Sequence, residues 1–454
     1  MLIRFSVENF RSFRSRTELS LVPGKVRQHP EQVIKANSKK DIAALKAAVI
    51  YGANASGKSN LIRAMRHAQK IINNRHKAGQ SLPYAPFKLD EHSTTLPSRF
   101  EFEIKAGDAN YAYGFIADQH RIHEEWLYNI DRQTDKRIFE RKGDIFDFSG
   151  NLFESQEDEQ FLHFTAKGTP ENRLFLSECS ERNILRELPY FPGLATVSEW
   201  FERRLHIIFP DTKLHGMAFS LAKDDGSTEA LSTLVRAFDT GIDTLSLQEV
   251  DFDKNLQDIP PQLKQHIMQE LEPQGRLYIS GPDNTRYRIE KGPDAQLKAY
   301  KLMSNHKIGD KEVLLDITEE SDGTQRLIDL APGLLNILQE EHTFIIDELD
   351  RSLHADITRK IFDVFMHATQ GKRSQLIVTT HESNLLDLRQ LRKDEFWFVA
   401  KNKKGESSLY SMEEFQPRFD KDIRRGYFAG RFGALPDLQG FDEVDALFGR
   451  TSNA

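Results

Sequence analysis

The stretch that decides the fold is Ala47–Ser59, AAVIYGANASGKS. Its first five residues are an apolar run that predicts a buried strand, and a helix is predicted to begin near Lys58. Four apolar side chains recur on one face of that helix, at Leu61, Ile62, Met65 and Ala68. Between strand and helix, Gly52–Ser59 fits the pattern G-x-x-x-x-G-K-[ST], whose expected context is a strand followed by a helix. The sequence therefore predicts a phosphate-binding P-loop.

The residue types of this loop suit a nucleoside triphosphate. Glycines let backbone N–H groups surround phosphate groups with no Cβ in the way, and the helix N-terminus adds partial positive charge. Lys58 is predicted to contact the β- and γ-phosphates, and the Ser59 hydroxyl to bind Mg²⁺. The residues of this region predicted to contact ATP are Gly52, Asn54, Ala55, Ser56, Gly57, Lys58, Ser59 and Asn60.

A second apolar run, Thr343–Ile346, ends in Asp347 and Glu348. This pattern is typical of a buried parallel strand that delivers carboxylates to the carboxyl edge of a sheet. Asp347 is predicted to hold Mg²⁺ through water, and Glu348 to orient or deprotonate the attacking water. A strand followed by solvated acids has the same pattern, so the prediction depends on the P-loop elsewhere in the chain.

Two further motifs are weak when each is considered alone. Ser321–Gln325, SDGTQ, precedes a helical pattern and has the composition of an ordinary N-cap with a glycine turn. His381 follows the apolar strand predicted at Gln375–Thr380, and a lone histidine there is more often structural than catalytic. Their order along the chain relative to the P-loop and the two carboxylates is what favours a functional interpretation of both motifs.

The order of these four motifs resembles that of ABC-type ATPase heads, in the branch shared with Rad50 and SMC proteins. Ser321–Gln325 resembles the signature loop, Asp347-Glu348 the Walker B motif, and Asp350 the D-loop. More narrowly, the sequence is similar to the AAA15-type ATPases of bacterial anti-phage defence operons, as in PARIS-, AbiL-, Septu- and OLD-type systems. The segments that carry this similarity are ESDGTQRL, IIDELDRSLH, TTHESNLLDL and GRFGALP. The resemblance covers roughly residues 1–130 and 280–435.

The resemblance implies ATP sites that are completed by two subunits. The loop of Lys58 in one subunit would face the signature loop of the other, and His381 would sense the γ-phosphate. The residues of the signature loop implied to contact ATP are Ser321, Gly323 and Gln325. Glu348 and His381 would be the catalytic residues. The Q-loop residue stays open between Gln80 and Gln119.

The predicted fold is α/β: an ABC-type P-loop ATPase head, with a mixed sheet and flanking helices, interrupted by a mostly helical insertion. Four segments are predicted. They are 1–135, an N-terminal lobe with the P-loop; 136–280, the insertion; 281–400, a C-terminal lobe with the signature, Walker B and switch histidine; and 401–454, strands and a tail. Strands are also predicted at 2–8 and 17–22, a hairpin at 99–118, a further strand at 120–130, and a polar stretch before residue 320.

Composition limits the class of protein. With 39% hydrophobic and 29% charged side chains in 454 residues, two or three packed domains are expected. No apolar stretch reaches the ~18 residues of a membrane span, the N-terminus does not resemble a signal peptide, and the single cysteine, Cys179, excludes an internal disulfide. A cytoplasmic protein is therefore expected. Residues 1–80 hold 16 Lys/Arg against 4 Asp/Glu, an excess that could attract nucleic acid or could neutralise ATP and acidic surface elsewhere.

Three functions are compatible with the sequence. The leading hypothesis is a homo-oligomeric regulatory ATPase of a defence complex that controls a separate nuclease or toxin. The second is a DNA repair or recombination ATPase that acts directly on nucleic acid, and the third is a transporter or scaffold ATPase. The sequence separation of 289 residues from Lys58 to Asp347 exceeds the spacing of compact transporter heads. Only 73 residues follow His381, too few for the TOPRIM nuclease of OLD-type relatives, so this chain is predicted to cut nothing itself.

Overall fold

A computed structural model describes residues 1–73, 77, 79–149, 155–181, 192–211, 226–256, 271, 276–280, 285–292, 296–339, 341–416 and 422–435. The chain divides into two compact units: the first is Met1–Leu205 with Ile377–Ala454, and the second is His206–Leu376. The four segments predicted from the sequence are not tested by this division and stay a prediction. Within the predicted segment 401–454, residues 417–421 and 436–454 lie outside the described residues.

The amino-terminal part of the first unit contains a seven-stranded antiparallel sheet. The strands of this part are β1 (Leu2–Glu8), β2 (Thr17–Ser20), β3 (Val33–Ile34), β4 (Ala44–Leu45), β5 (Ala47–Tyr51), β6 (Ser98–Ala106), β7 (Ala109–Ala117), β8 (Ile122–Ile130), β9 (Asp135–Lys142) and β10 (Ile145–Phe148). The sheet has the order β10-β9-β8-β7-β6-β1-β2. Gly107 has φ 61° in the two-residue turn between β6 and β7, a conformation that glycine adopts without strain. The predicted strand at 2–8, the hairpin and the strand after it are confirmed.

The helices of this part are α1 (Lys58–Asn73), α2 (Gln156–Gly168), α3 (Phe175–Glu181) and α4 (Pro192–Glu199), the last followed by a π-helical turn at Trp200–Arg204. Helix α1 lies against β1 and β6. The predicted apolar face of α1 is fully buried at Leu61, Ile62, Met65 and Ala68. Because β5 is buried along its whole length, the strand and helix on either side of the P-loop are both anchored in the core.

The second unit contains a smaller antiparallel sheet and a helical layer. Strand β11 (Leu205–Ile208) begins at the last residue of the first unit's first segment and continues into the second unit. The other elements of the second unit are α5 (Gly226–Ala237), β12 (Thr244–Val250), α6 (Phe252–Asn255), β13 (Arg276–Ser280), β14 (Arg286–Lys291), β15 (Leu297–Ile308), β16 (Lys311–Asp316), α7 (Asp322–Gln339), β17 (Thr343–Ile346) and α8 (Ala355–Ala368). The sheet has the order β12-β15-β14-β13, and β16 pairs with β15. Helices α5 and α7 share a buried cluster that includes Val235, Ile328 and Ala331.

The chain returns to the first unit through β18 (Gln375–Thr379), which is followed by β19 (Phe396–Lys401), β20 (Ser407–Ser411) and α9 (Ile423–Phe428). The strand order there is β18-β5-β19-β20. Strand β19 is parallel to β5, with Phe396 beside Val49, whereas β20 is antiparallel to β19. The expected mixed sheet with flanking helices is therefore confirmed.

Two predictions for the middle of the chain need correction. A mostly helical insertion at 136–280 is not shown, because the described residues of that range form five strands, β9 to β13, as well as helices. Residues 205–208, LHII, lie within that predicted insertion but form β11, since a short apolar run does not distinguish helix from strand. The polar stretch before residue 320 contains β15 and β16, whose partly exposed faces carry the polar residues. No helix among the described residues is long and apolar enough to cross a bilayer.

Candidate nucleotide site

The P-loop has the backbone of a phosphate-binding turn. Ala55 has φ 60° and Gly57 has φ 119°, both in the left-handed region. A backbone in which left-handed residues alternate with others turns successive N–H groups toward one side of the chain, where they can surround an anion. The Lys58 ammonium is buried and donates hydrogen bonds to the carbonyl oxygens of Gly52 at 2.8 Å and Ala53 at 3.2 Å. The lysine charge is thus held at the mouth of the loop.

Both glycines of the motif are required by close contacts. A Cβ on Gly57 would lie 2.4 Å from Ser407 Oγ and 2.9 Å from Ser12 Oγ. A Cβ on Gly52 would lie 2.5 Å from Ser56 Oγ. Side chains at these two positions would therefore displace the neighbours that shape the loop, and at Gly57 the positive φ adds strain.

Two serines that sequence reasoning missed hold the loop in place. Ser407 Oγ, at the start of β20, donates to the carbonyl oxygen of Ser56 at 2.5 Å, and its N–H donates to Ser12 O at 2.7 Å. Asn60 Nδ2 in turn donates to Ser12 Oγ at 2.9 Å. No local pattern marks Ser407, which lies 351 residues from the residue it supports. Only the three-dimensional contact identifies it.

The remaining loop residues fit a bound phosphate. Ser56 Oγ is buried and has no hydrogen-bond partner among the described residues, which leaves a polar atom for a ligand oxygen. Asn54 and Ala55 are exposed, and Ser59 and Asn60 are half-buried at the start of α1. The accessible members of the predicted set thus lie on both sides of the buried Ser56–Lys58.

His381 lies close to the strand that enters the P-loop. The preceding residue, Thr380, donates its N–H to the carbonyl oxygen of Ile50 at 3.2 Å. The Tyr51 hydroxyl donates to the carbonyl oxygen of Glu382 at 3.0 Å. Both neighbours of His381 are thus tied to the carboxyl end of β5, and the His381 side chain itself is exposed. The structure therefore places His381 beside the strand from which the P-loop begins.

Neither Q-loop candidate is tied to the loop. Gln80 and Gln119 are both exposed, and Gln80 Oε1 accepts a hydrogen bond from Lys77 N–H at 3.2 Å. Among the described residues, no hydrogen bond joins either side chain to the P-loop. The Q-loop residue therefore stays unassigned.

The signature loop lies in the second unit, at the start of α7. Ser321 Oγ accepts the N–H of Thr324 at 3.2 Å and lies 2.9 Å from its hydroxyl, an N-cap arrangement. Gln325 Nε2 donates to the carbonyl oxygen of Glu320 at 2.9 Å. The N-cap interpretation of this segment is correct locally, and it places the exposed Ser321 at the N-terminus of a helix of 18 residues.

The loop after Glu348 lies directly against the signature. A Cβ on Gly323 would lie 2.6 Å from the carbonyl oxygen of Ser352, whose φ is 60°. Asp350, the predicted D-loop residue, precedes this contact and its carbonyl oxygen accepts the N–H of Leu353 at 3.1 Å. The glycine of the signature is therefore needed for close backbone approach.

Asp347 and Glu348 occupy different environments at the end of β17. Asp347 is 1% exposed, and its N–H donates to the carbonyl oxygen of Ile208 in β11 at 2.8 Å. Glu348 is half-buried and has φ 51°, a strained conformation for a residue with a side chain. Its carbonyl oxygen accepts the N–H of Arg351 at 3.1 Å. The end of the strand thus buries Asp347, whereas Glu348 is only half-buried in the turn that follows.

Two arginines that the sequence did not single out adjoin the signature. Arg286 forms a bidentate ion pair with Asp329 at 2.9 and 3.1 Å and reaches Gln325 Oε1 at 3.5 Å. Arg326 is 6% exposed, and its pKa is lowered by burial. Its Nη1 donates to Phe209 O at 3.4 Å, while Nε and Nη2 have no partner among the described residues. The position of Arg326 directly after the signature was the one feature of the sequence that could have identified it.

The P-loop and His381 belong to the first unit, whereas the signature loop, Asp347 and Glu348 belong to the second. Residues 47–168 and 232–387, more than half of the chain, match the model of a family described as "AAA domain, putative AbiEii toxin, Type IV TA system". The match includes all four motifs and confirms the resemblance predicted from them. No curated protein matches the chain.

Solved structures of SMC head domains are also similar to the chain. An SMC head from Thermotoga maritima is 11% identical, covers 90% of this chain and 98% of its own, and has a TM-score of 0.33. An Smc head from Pyrococcus furiosus, crystallised with the C-terminal domain of ScpA, is 14% identical, covers 91% and 97%, and has a TM-score of 0.36. A third, an SmcHead bound to a winged helix domain of ScpA, is 14% identical, covers 91% and 99%, and has a TM-score of 0.37. These scores are too low to support an inference about function.

Proposed function

The chain belongs to the AAA domain family that it matches, and we propose that it binds ATP with Mg²⁺ and hydrolyses ATP to ADP and phosphate. The loop Gly52–Ser59 carries this proposal, because it combines two positive-φ residues with a buried lysine ammonium at its mouth. A bound Mg²⁺ would offset the charge of the phosphates. The residues proposed to hold it are Ser59 and, through water, Asp347.

Glu348 and His381 are proposed as the residues that act on the reaction itself. Glu348 would orient or deprotonate the attacking water, and His381 would contact the γ-phosphate. The strained φ of Glu348 supports its role, because strain of this kind is concentrated at functional positions. The buried Asp347 would keep its metal-binding position independently of Glu348.

We further propose that two copies of the chain complete each ATP site. The loop of Lys58 in one copy would face Ser321, Gly323 and Gln325 of the other, as the similarity to ABC-type heads implies. Ser321 is exposed at the N-terminus of α7, and Gly323 packs against Ser352 within its own unit. A helix N-terminus presented in this way can bind a phosphate of a partner's nucleotide. The active form would be a homodimer or a higher homo-oligomer.

In the cell we propose a regulatory role in anti-phage defence, with a separate nuclease or toxin as the effector. The family description refers to a toxin and a toxin–antitoxin system, and the motifs of the chain account only for nucleotide chemistry. A nucleotide switch has an effect only if its conformations differ in affinity for another molecule. The second candidate, a repair or recombination ATPase acting on nucleic acid, is favoured only by the positive excess of residues 1–80.

The decisive experiment compares the gene alone with the gene and its operon neighbour in bacteria challenged with phage. We expect protection to require both genes and an intact Lys58, and the neighbour's product to be retained in a pull-down of this chain. The matched control is Lys70→Ala, at an exposed position near the end of α1, which should protect as wild type does. Protection from the single gene, with no protein retained, would refute the regulatory role.

A further inference from the structure

A second basic site lies in the first unit, away from the P-loop. A pocket of about 240 Å³ is lined by two segments, 25–28 and 388–393. Four of its lining residues are basic: Lys25, Arg27, Arg392 and Lys393. None of the residues that line it is acidic, so the pocket has a strongly positive character.

The two walls of the pocket are fixed to each other. The His29 ring nitrogen Nε2 lies 2.9 Å from the carbonyl oxygen of Leu388, and Arg392 Nη1 donates to the carbonyl oxygen of Gln28 at 2.8 Å. These bonds join segments that are about 360 residues apart in sequence. The basic residues are therefore brought together by the fold and not by sequence proximity.

Arg392 forms a rigid floor. It is 2% exposed, and its Nε and Nη2 donate to the two carboxylate oxygens of Asp394 at 2.9 and 2.7 Å. With the bond to Gln28, three of its five N–H donors are used, and two have no hydrogen-bond partner within the described part of the chain. Asp394 balances the charge of Arg392, whereas Lys25, Arg27 and Lys393 have no ion-pair partner within the described part of the chain.

The pocket and the P-loop are at opposite ends of β5. Strand β19 begins with Phe396 beside Val49 and runs parallel to β5. Arg392 and Lys393 come four and three residues before the start of β19, so they lie toward the amino-terminal end of these parallel strands. The P-loop leaves the carboxyl end of β5 after Tyr51. The pocket is therefore not an extension of the nucleotide site.

We propose that this pocket binds a phosphoryl group. Lys25, Arg27 and Lys393 would supply flexible charged contacts, and the remaining N–H groups of Arg392 would supply fixed donors, the combination with which proteins recognise phosphate. The group could belong to a free phosphorylated molecule or to a nucleic-acid backbone, which share this chemistry. A phosphoryl ligand bound in this pocket would be recognised at a site separate from the ATP site.

The test measures binding of two probes, inorganic phosphate by calorimetry and a short fluorescent single-stranded DNA by anisotropy at low salt. Every chain carries Lys58→Ala, so that the P-loop contributes little. The pocket variant is K25E/R27E, and the control, K39E/K40E, changes two exposed lysines of the same basic region by the same charge. Because Lys25 and Arg27 are exposed, both variants should fold, which circular dichroism checks.

We expect K25E/R27E to bind at least one probe about tenfold more weakly than the parent, and K39E/K40E to bind it nearly as the parent does. Loss of phosphate binding indicates a free phosphorylated ligand, and loss of DNA binding alone indicates a nucleic-acid backbone. K393E, on the other wall, should reproduce the loss. Equal binding by K25E/R27E and K39E/K40E, or no binding of either probe to the parent, would overturn the proposal. ATP hydrolysis by chains with Lys58 intact is measured separately, so this result and the proposed ATPase activity can fail independently.

Discussion

The P-loop of the first unit and the signature region of the second are built in different ways. The loop residues proposed to contact ATP lie within one run, Gly52–Asn60, and the loop has Ala55 and Gly57 at positive φ. The signature region combines three separated stretches, with Arg286 beside Gln325 and Gly323 against Ser352. One site is thus encoded locally, whereas the other depends on tertiary contacts. Substitutions in the two regions should therefore affect different steps of the ATP cycle.

The largest expected effect is on hydrolysis in Glu348→Gln. This change keeps the side-chain shape and the buried Asp347 but removes the proposed base, so turnover should fall by about 10²–10⁴-fold. ATP affinity, measured with a fluorescent analogue, should stay within about twofold of wild type, since the P-loop is intact. Glu341→Gln, at an exposed residue just before β17, is the control and should hydrolyse ATP normally. Normal turnover by Glu348→Gln would assign this carboxylate another role.

The next effect tests whether the two regions act in different copies of the chain. Ser321→Arg should lower hydrolysis by about 100-fold with ATP binding to the monomer retained, because it blocks a phosphate contact of the partner's nucleotide. Ser321→Thr keeps the hydroxyl and is the control. When equal amounts of Ser321→Arg and Lys58→Ala chains are mixed, about half of the dimers contain one chain of each kind. Each of these mixed dimers has one intact site of two, so we expect about a quarter of wild-type activity. No recovery from mixtures that do form dimers would contradict sharing between copies. Gly323 is a poorer choice, because any Cβ there meets Ser352 O within the same unit.

A smaller effect is expected for ATP binding in Lys58→Ala. The ammonium is the full positive charge held at the mouth of the loop, and its loss should weaken ATP binding at least about tenfold, or ~1.4 kcal/mol. The measurement is calorimetric titration of ATP with Mg²⁺. Lys70→Ala on the same helix should bind as wild type does. Equal affinity in Lys58→Ala and wild type would refute the P-loop assignment.

The same contrast explains what the sequence could predict. The strand–loop–helix around Lys58 and the carboxylates after β17 were predictable, because each motif is short and its residue types follow from local geometry. Ser407 and Arg286 were not, since their partners lie 351 and 39 residues away. Strands β11, β15 and β16 were missed for a related reason. Their pattern of polar and apolar residues reflects neighbours supplied by the fold, and periodicity alone does not contain that information.

The smallest expected effect tests whether the P-loop is as local as its sequence suggests. Ser407 is 3% exposed, and its hydroxyl is a side-chain donor to the Ser56 carbonyl oxygen. Ser407→Ala leaves that buried acceptor without this bond, at a cost of about 1 kcal/mol. If the bond orders the loop before the nucleotide arrives, this cost should appear as roughly fivefold weaker ATP binding with unchanged turnover at saturation. Ser408→Ala, on the exposed neighbour in β20, should change neither quantity. If Ser407→Ala instead lowers only the thermal stability of the chain and leaves ATP affinity unchanged, the loop is organised by its own residues, and the contrast with the signature region is sharper than the contacts indicate.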